Sequence, residues 1–399
     1  MNLRSALIIF ASSLCILLLY LNRPARLIFD EQFYIPAARE FMASSRDPNY
    51  QHPPLAKEII GVSTALFGDD PWGWRLASCI LGALALVALF SILRLFLNPF
   101  YSGVALVLVF TNGLFFSLSR LGLLEIFSLS FTLMGLAVLL KQLYGPEQKK
   151  LWTLWLPGML FGFAVCTKWS ALVPLAVCGV GGLLMRKFSL KQWGVFAASC
   201  LVFYLLPFLL LDMQGYSLWD LHKGMWAFHY PEVYQEGIMA NTSPWWEWAF
   251  RIQPMWFAVL PNDFGEPGQF LSVMIFGNPF VIWAGWLGLA WCLKSRESFP
   301  RWIVALALAP FLVWAVAQRP VTYYYYFLTT SVFLALALVF AVARMTEQGI
   351  FAQKKAQRFL LIWAALSVIF FFYHWPLMTG LEMSAANFQK WYPHIRGYQ

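Results

Sequence analysis

A few charged residues interrupt an otherwise apolar chain of 399 residues. Asp30 and Glu31 stand side by side in "IFDEQFY". His52 and Lys57 follow in "HPPLAK", Arg120 and Glu125 in "SRLGLLE", Lys168 in "CTKWSAL" and Arg319 in "QRPVTYYYYF". As a set they suit a reaction with an anionic leaving group. Arg and Lys hold a phosphate through charge-assisted hydrogen bonds. An Asp accepts the proton of an attacking hydroxyl. Cations against the departing phosphate remove most of the need to protonate it. The combination points to glycosyl or phosphoryl transfer from a lipid-phosphate donor. The chain has no P-loop or dinucleotide fingerprint, which argues against a nucleotide-linked donor.

Each residue also has a structural role open to it. Asp30 stands where a helix N-cap belongs. Arg120 and Lys168, at the ends of apolar runs, can snorkel to the interface. Glu125 follows Arg120 by five positions and can pair with it, and His52 can serve a turn. What favours chemistry is convergence, because the topology brings these acids, bases and the histidine to one side of a membrane.

The elements that must position them are membrane spans. Hydrophobic residues make up 60% of the chain and charged residues 12%, half the roughly 25% of a soluble protein. Apolar runs near the membrane-spanning length of about 20 residues recur throughout. Eleven spans are predicted, over 4–21, 72–97, 101–118, 122–140, 152–168, 170–185, 191–211, 271–293, 301–317, 322–343 and 358–375. The expected fold is all-α and polytopic, since the ten-residue alternation of barrel strands is missing. The first span, followed by "LNRPAR" with no small-residue cleavage site, reads as a retained signal anchor.

Basic residues set the orientation. With the N-terminus inside, the cytoplasmic loops hold Arg4, Arg94, Lys141, Lys149, Lys150, Arg186, Lys187, Lys191, Lys294, Arg296, Arg301, Arg344, Lys354, Lys355 and Arg358. Only Glu147, Glu297 and Glu347 offset them there, as the positive-inside rule expects. The net charge of +9 then reflects topology and anionic headgroups and calls for no nucleic acid. The six cysteines, Cys15, Cys79, Cys166, Cys178, Cys200 and Cys292, fall within the spans and read as free, packing thiols. No metal-ligand cluster is visible.

Two outside loops are long, 22–71 and 212–270, and the whole chain reads as a single membrane domain, 1–399. "DEQFYIPAAREFMAS" and "PLAKEIIGVSTALFG" carry helical apolar periods and predict two interfacial helices in the first loop. The second loop is rich in Trp, as at a membrane–water boundary.

Taken in order, "FDEQFY", "HPPLAK", "SRLGLLE", "GFAVCTKWSAL", "SPWWEW", "GNPFVIWAGW" and "YYYYF", with "HY" at 229–230, resemble the protein O-mannosyltransferases. These are GT-C membrane glycosyltransferases that use dolichyl- or polyprenyl-phosphate mannose. The resemblance implies that Asp30 is the catalytic acid of the first-loop pair and that Glu31 helps hold the acceptor. It puts Arg120 on the donor phosphate. It matches His52 and Lys57 to the "HPPLGK" loop, with Ala56 in place of the usual Gly, and Lys168 to the "KW" element. Glu125 stands where the family often has Asp. Arg319 joins the set on the strength of its charge and position. No outside loop has room for the MIR module of eukaryotic members, so the likeness is to a short prokaryotic-type enzyme. It implies inverting transfer of a mannosyl or related hexosyl residue to Ser or Thr of exported proteins, on the outer face of the cell membrane. The lipid-linked sugar is a substrate and no cofactor is required.

Two other readings remain open at this point. One is a lipid-A or glycan glycosyltransferase of the aminoarabinose-transferase type. The other is a transporter, against which stand the lack of an inverted repeat and charges gathered at one face, away from the midplane.

Overall fold

The computed structural model describes all residues except 1, 146–149, 214, 230–241, 252, 262–268, 318, 320, 385 and 388–399. Glu147, Lys149 and Tyr230, named above, lie outside the described residues. The fold is mostly helical. The order is α1 (Leu3–Leu18), α2 (Glu31–Ser44), α3 (Leu55–Phe67), α4 (Pro71–Leu93), α5 (Pro99–Phe110), α6 (Gly113–Leu118), α7 (Leu124–Tyr144), α8 (Trp155–Thr167), α9 (Leu172–Leu184), α10 (Leu190–Leu205) and α11 (Leu218–His229), then β1 (Met255–Pro261), β2 (Gln269–Ile275), α12 (Pro279–Lys294), α13 (Ser298–Ala317), α14 (Leu328–Glu347), α15 (Gln353–Thr379) and β3 (Met383–Ser384). Among the described residues, six helical stretches are long and apolar enough to cross a membrane, and five shorter apolar ones accompany them.

The apolar periods explain most of these boundaries, and caps explain several others. Asp70 caps α4, accepting from the backbone of Trp72 at 2.8 Å, with Pro71 at the first helical position. Asn98 caps α5 with Pro99 in the same place, and Ser189 closes a capping box with Gln192 on α10. α14 is the central post, with 89% of its apolar stretch buried, against 28% for α10 and α15. It packs on α12 and α13. Gly288 lets α12 approach closely, since a Cβ there would lie 2.5 Å from the Leu338 backbone. The first half of the chain packs as α1 on α4, α4 on α7, and α7 on α8, with α2 and α3 laid together over the end of α4.

Three expectations are corrected. The fold is not all-α, because β1, β2 and β3 form a small antiparallel sheet. The run at 271–293 is not one span: residues up to Ile275 are strand β2 and the helix starts at Pro279. The break is at Gly277–Asn278–Pro279, where Asn278 caps α12 and donates to the Thr111 and Ser367 carbonyls. The run at 101–118 is also broken, into α5 and the short α6, around Thr111 and Asn112. In both places polar side chains satisfy backbone groups freed by the interruption.

The basic-loop pattern expects Lys150, before α8, and Tyr216, before α11, on opposite sides of the membrane. Single cysteines at these positions, in a background without the native cysteines, should react with an impermeant maleimide from opposite faces of sealed vesicles. Reaction of both from one face would reject the topology.

Candidate active site

Glu31 anchors the region. It is fully buried, and its carboxylate meets the Arg75 guanidinium in a two-pronged pair, Nε to Oε1 and Nη2 to Oε2, both at 2.8 Å. Backbone N–H groups of Gly122 and Ile28 also donate to it, at 3.0 and 3.2 Å. Arg75 spends its other donors on the carbonyls of Leu21, Pro24 and Arg26, at 3.0 to 3.2 Å. Both members are therefore satisfied, as a buried ion pair requires. A Cβ at Gly122 would crowd this contact, standing 2.9 Å from Ile35 Cδ1 and 3.1 Å from the Trp74 carbonyl. Glu31, expected beside an acceptor, is instead a structural tie with its oxygens occupied.

Its neighbour is free for other work. Asp30 sits at the N-terminus of α2, yet its side chain makes no capping bond. Its Oδ2 instead accepts from the hydroxyls of Tyr34 and Tyr325, each at 3.5 Å. The preceding residue, Phe29, has a left-handed φ of 48°, a strained state for a bulky side chain. Aromatic packing holds it there: Phe29 stacks on Phe257 with centroids 4.3 Å apart and meets Tyr325 edge-on at 5.9 Å. Phe257 lies where the β1–β2 register shifts, between Trp256 and Ala258, so an irregularity of the hairpin aims its ring. Burial and the nearby Glu125 carboxylate push the Asp30 carboxyl up to about 7, although Lys168 pulls the other way.

Beyond Tyr325 lies a cavity of about 300 Å3. His52, Glu125, Lys168, His229 and Arg319 supply its polar lining, and Val173, Pro310, Val313 and Trp314 an apolar wall. Lys168 pairs with Glu125 and lies over the rings of Tyr325 and Tyr326, at 5.2 and 4.9 Å. Arg319 covers the Tyr326 ring at 5.6 Å. His52 and His229 stand 5.0 Å apart between ring centroids. Burial, with Lys168 nearby, holds His52 well below the usual imidazole range; burial and Arg319 bring His229 down to about 3. Both are neutral at pH 7 and can donate to or accept from sugar hydroxyls. The cavity thus combines cations, neutral polar rings and an apolar wall, with a carboxylate of near-neutral pKa behind one of its tyrosines.

The structure brings Asp30, His52, Glu125, Lys168 and Arg319 to this region. It does not bring Arg120 or Lys57. Arg120 is buried against α1, donates to the Leu17 carbonyl, and lies 5.2 Å from the Phe116 ring centroid. Lys57 is buried on Asp47 and donates to the carbonyls of Asn49 and His52, the latter at 2.9 Å, so it shapes the loop that carries His52. Tyr34, Tyr325, Tyr326 and Arg75 were not singled out from the sequence. The tyrosines stood only within the motifs "FDEQFY" and "YYYYF", with no role of their own, and the signal at Arg75 in "WGWRLAS" is a base within an apolar helix.

The profile of the dolichyl-phosphate-mannose-protein mannosyltransferase family matches residues 51–211. Two polyprenol-phosphate-mannose–protein mannosyltransferases, from Mycolicibacterium smegmatis and Corynebacterium glutamicum, are each 23% identical over 92% of this chain, and 87% and 88% of their own length is matched. Among solved structures, the Saccharomyces cerevisiae protein O-mannosyltransferase Pmt1–Pmt2 complex bound to the sugar donor superposes with a TM-score of 0.77, at 12% identity, over 96% of this chain and 91% of that one. ArnT from Cupriavidus metallidurans bound to undecaprenyl phosphate gives 0.61 at 16% identity over 87% of this chain, which spans 62% of that structure. The fold is that of the GT-C membrane glycosyltransferases. In sequence, the chain is similar to the polyprenol-phosphate-mannose–protein mannosyltransferases over most of its length.

Arg75→Ala should lower stability by about 3–5 kcal/mol, because it strands a buried carboxylate. Arg75→Met combined with Glu31→Leu should recover much of that loss. The check is thermal unfolding in detergent. Equal stability of Arg75→Ala and the unaltered protein would remove the pair from its anchoring role.

Proposed function

We propose that the protein transfers a mannosyl residue from polyprenyl-phosphate mannose to Ser or Thr hydroxyls of exported proteins, at the outer face of a cell membrane it crosses eleven times. One observation carries the mechanism. Asp30 is held off its helix cap and strung between two tyrosine hydroxyls beside a cationic cavity, where burial raises its carboxyl above the usual range. The donor phosphate lies against Lys168 and Arg319, the prenyl chain leaves along the apolar wall, and His52 and His229 face the sugar. The acceptor oxygen attacks the anomeric carbon from the side opposite the phosphate. Its proton passes to Asp30, the carbon–oxygen bond to phosphate breaks, and polyprenyl phosphate leaves with its negative charge against the two cations. A single displacement inverts the anomeric centre. Charge stabilisation comes from Lys168 and Arg319, so the scheme calls on no resident cofactor. Glu31 and Arg75 hold the turn, and Arg120 fixes α1 against the α6–α7 turn.

The direct assay supplies labelled polyprenyl-phosphate mannose and a Thr-containing peptide to purified protein in nanodiscs, with label entering the peptide as the expected result. Asp30→Asn keeps size and hydrogen bonding but cannot take a proton. It should fold, bind donor and lose transfer by on the order of 10² to 10⁴. Near-normal turnover would sink the mechanism.

The pH profile gives a second test. A base works when deprotonated, so activity should be full above about pH 7 and fall as pH drops through that value. Donor phosphate bound to Lys168 weakens that lysine's pull on Asp30, so the midpoint in kcat should lie above that in kcat/KM. A flat kcat/KM between pH 5 and 8 would assign the proton to another group.

A further inference from the structure

A second and larger cavity, of about 570 Å3, lies on the other side of His52, which lines both. Its walls come from the end of α2 with the loop after it, and from the segment around α11. Among the described residues, Glu40, Asp47, Asp212 and Asp220 face it, with Arg46 as the one basic side chain in the lining. Asp47 is engaged by the buried Lys57, and Arg46 stands 3.9 Å from Asp212. Glu40 and Asp220 take hydrogen bonds from the hydroxyls of Ser44 and Ser217. The lining is thus more negative than positive, and a second polyprenyl phosphate would meet the wrong charge. Its inner end leads to the reacting groups: the His52 ring contacts Tyr34 at 5.9 Å, and the Tyr34 hydroxyl meets Asp30.

We propose that this cavity is the acceptor site and takes a polypeptide segment with Lys or Arg beside the Ser or Thr to be modified. The assignment rests on the protein mannosyltransferase reading above. A chain in the cavity passes its hydroxyl by His52 toward Asp30 while its flanking cations lie against Glu40, Asp212 and Asp220. Flanking Glu or Asp is repelled by the same carboxylates, so the lining selects by exclusion as well as attraction.

The test uses the full-length protein in nanodiscs with saturating polyprenyl-phosphate mannose. Three Thr peptides differ only in flanking Lys, Ala or Glu. KM should rise in that order, by about two- to fivefold for each charge that faces the lining, and the spread should narrow as salt is raised. In Glu40→Gln combined with Asp212→Asn, the ratio of KM values between the Lys- and Ala-flanked peptides should collapse toward one. Binding of the fluorescent Lys-flanked peptide without donor is measured in parallel and should weaken in the double variant. Transfer with equal KM for all three peptides overturns the inference and leaves the function standing. A Lys preference that survives the double variant intact places charge recognition elsewhere and also overturns it. Charge-dependent peptide binding without any sugar transfer would instead overturn the function and keep a cationic-peptide site.

Discussion

The pair between Glu31 and Arg75 is the constraint on which the rest of the site depends. Two opposite charges are removed from solvent almost completely, which is tolerable only if every donor and acceptor finds a partner. Here the partners come from four places: the chain after α1, the start of α2, the first turns of α4 and the turn before α7. One ionic contact therefore fixes where four segments meet. It also explains the adjacent acids. A carboxylate tied to a guanidinium makes a poor base, because the cation stabilises its charged form. Glu31 takes that role, and Asp30, next in the chain and starting the same helix, is left with tyrosine partners and a raised proton affinity.

That division of labour depends on distant parts of the chain. The left-handed turn at Phe29 is costly for a side chain of that size, and it is held from outside by Phe257 and Tyr325. These residues come from the hairpin and from the turn before α14. The C-terminal half thus does more than complete the bundle, since it clamps the backbone that aims the first-loop acid. Tyr325 both packs on Phe29 and donates to Asp30, so the position and the proton affinity of that carboxylate share one support.

Much of the helix pattern was legible because burial in lipid writes long apolar runs, and helices α2 and α3 were legible from their period. The hairpin was not. "FLSVMIFGNPFVIWAGW" is continuously apolar, and length alone reads it as a span. Gly277–Asn278–Pro279 was the physical signal that a strand ends and a helix begins there, and it gains force once Asn278 is seen to cap α12. Within the site, Asp30, His52, Glu125, Lys168 and Arg319 were legible as charges or polar groups out of place in an apolar chain. Their tyrosine partners were hidden by the aromatic composition common to membrane boundaries. Glu31, Lys57 and Arg120 were over-read: a buried charge announces that something must pair with it, and the sequence does not say whether the partner is a ligand or the protein's own backbone.

Lys57 and Lys168 show how that distinction arises. Both are buried, and each has a carboxylate partner. Lys57 turns its remaining hydrogens to main-chain carbonyls of the 47–52 loop, so its charge is consumed in bending that loop. Lys168 has Glu125 on one side and, toward the cavity, the faces of two tyrosines. Ring faces attract a cation without occupying its donor directions as carbonyl oxygens do. An arriving phosphate oxygen can displace that contact at small cost, whereas at Lys57 it would have to break hydrogen bonds that shape the loop. Residue type and burial are alike for the two lysines. What leaves Lys168 open to an entering anion is the softness of the ring contacts it must give up.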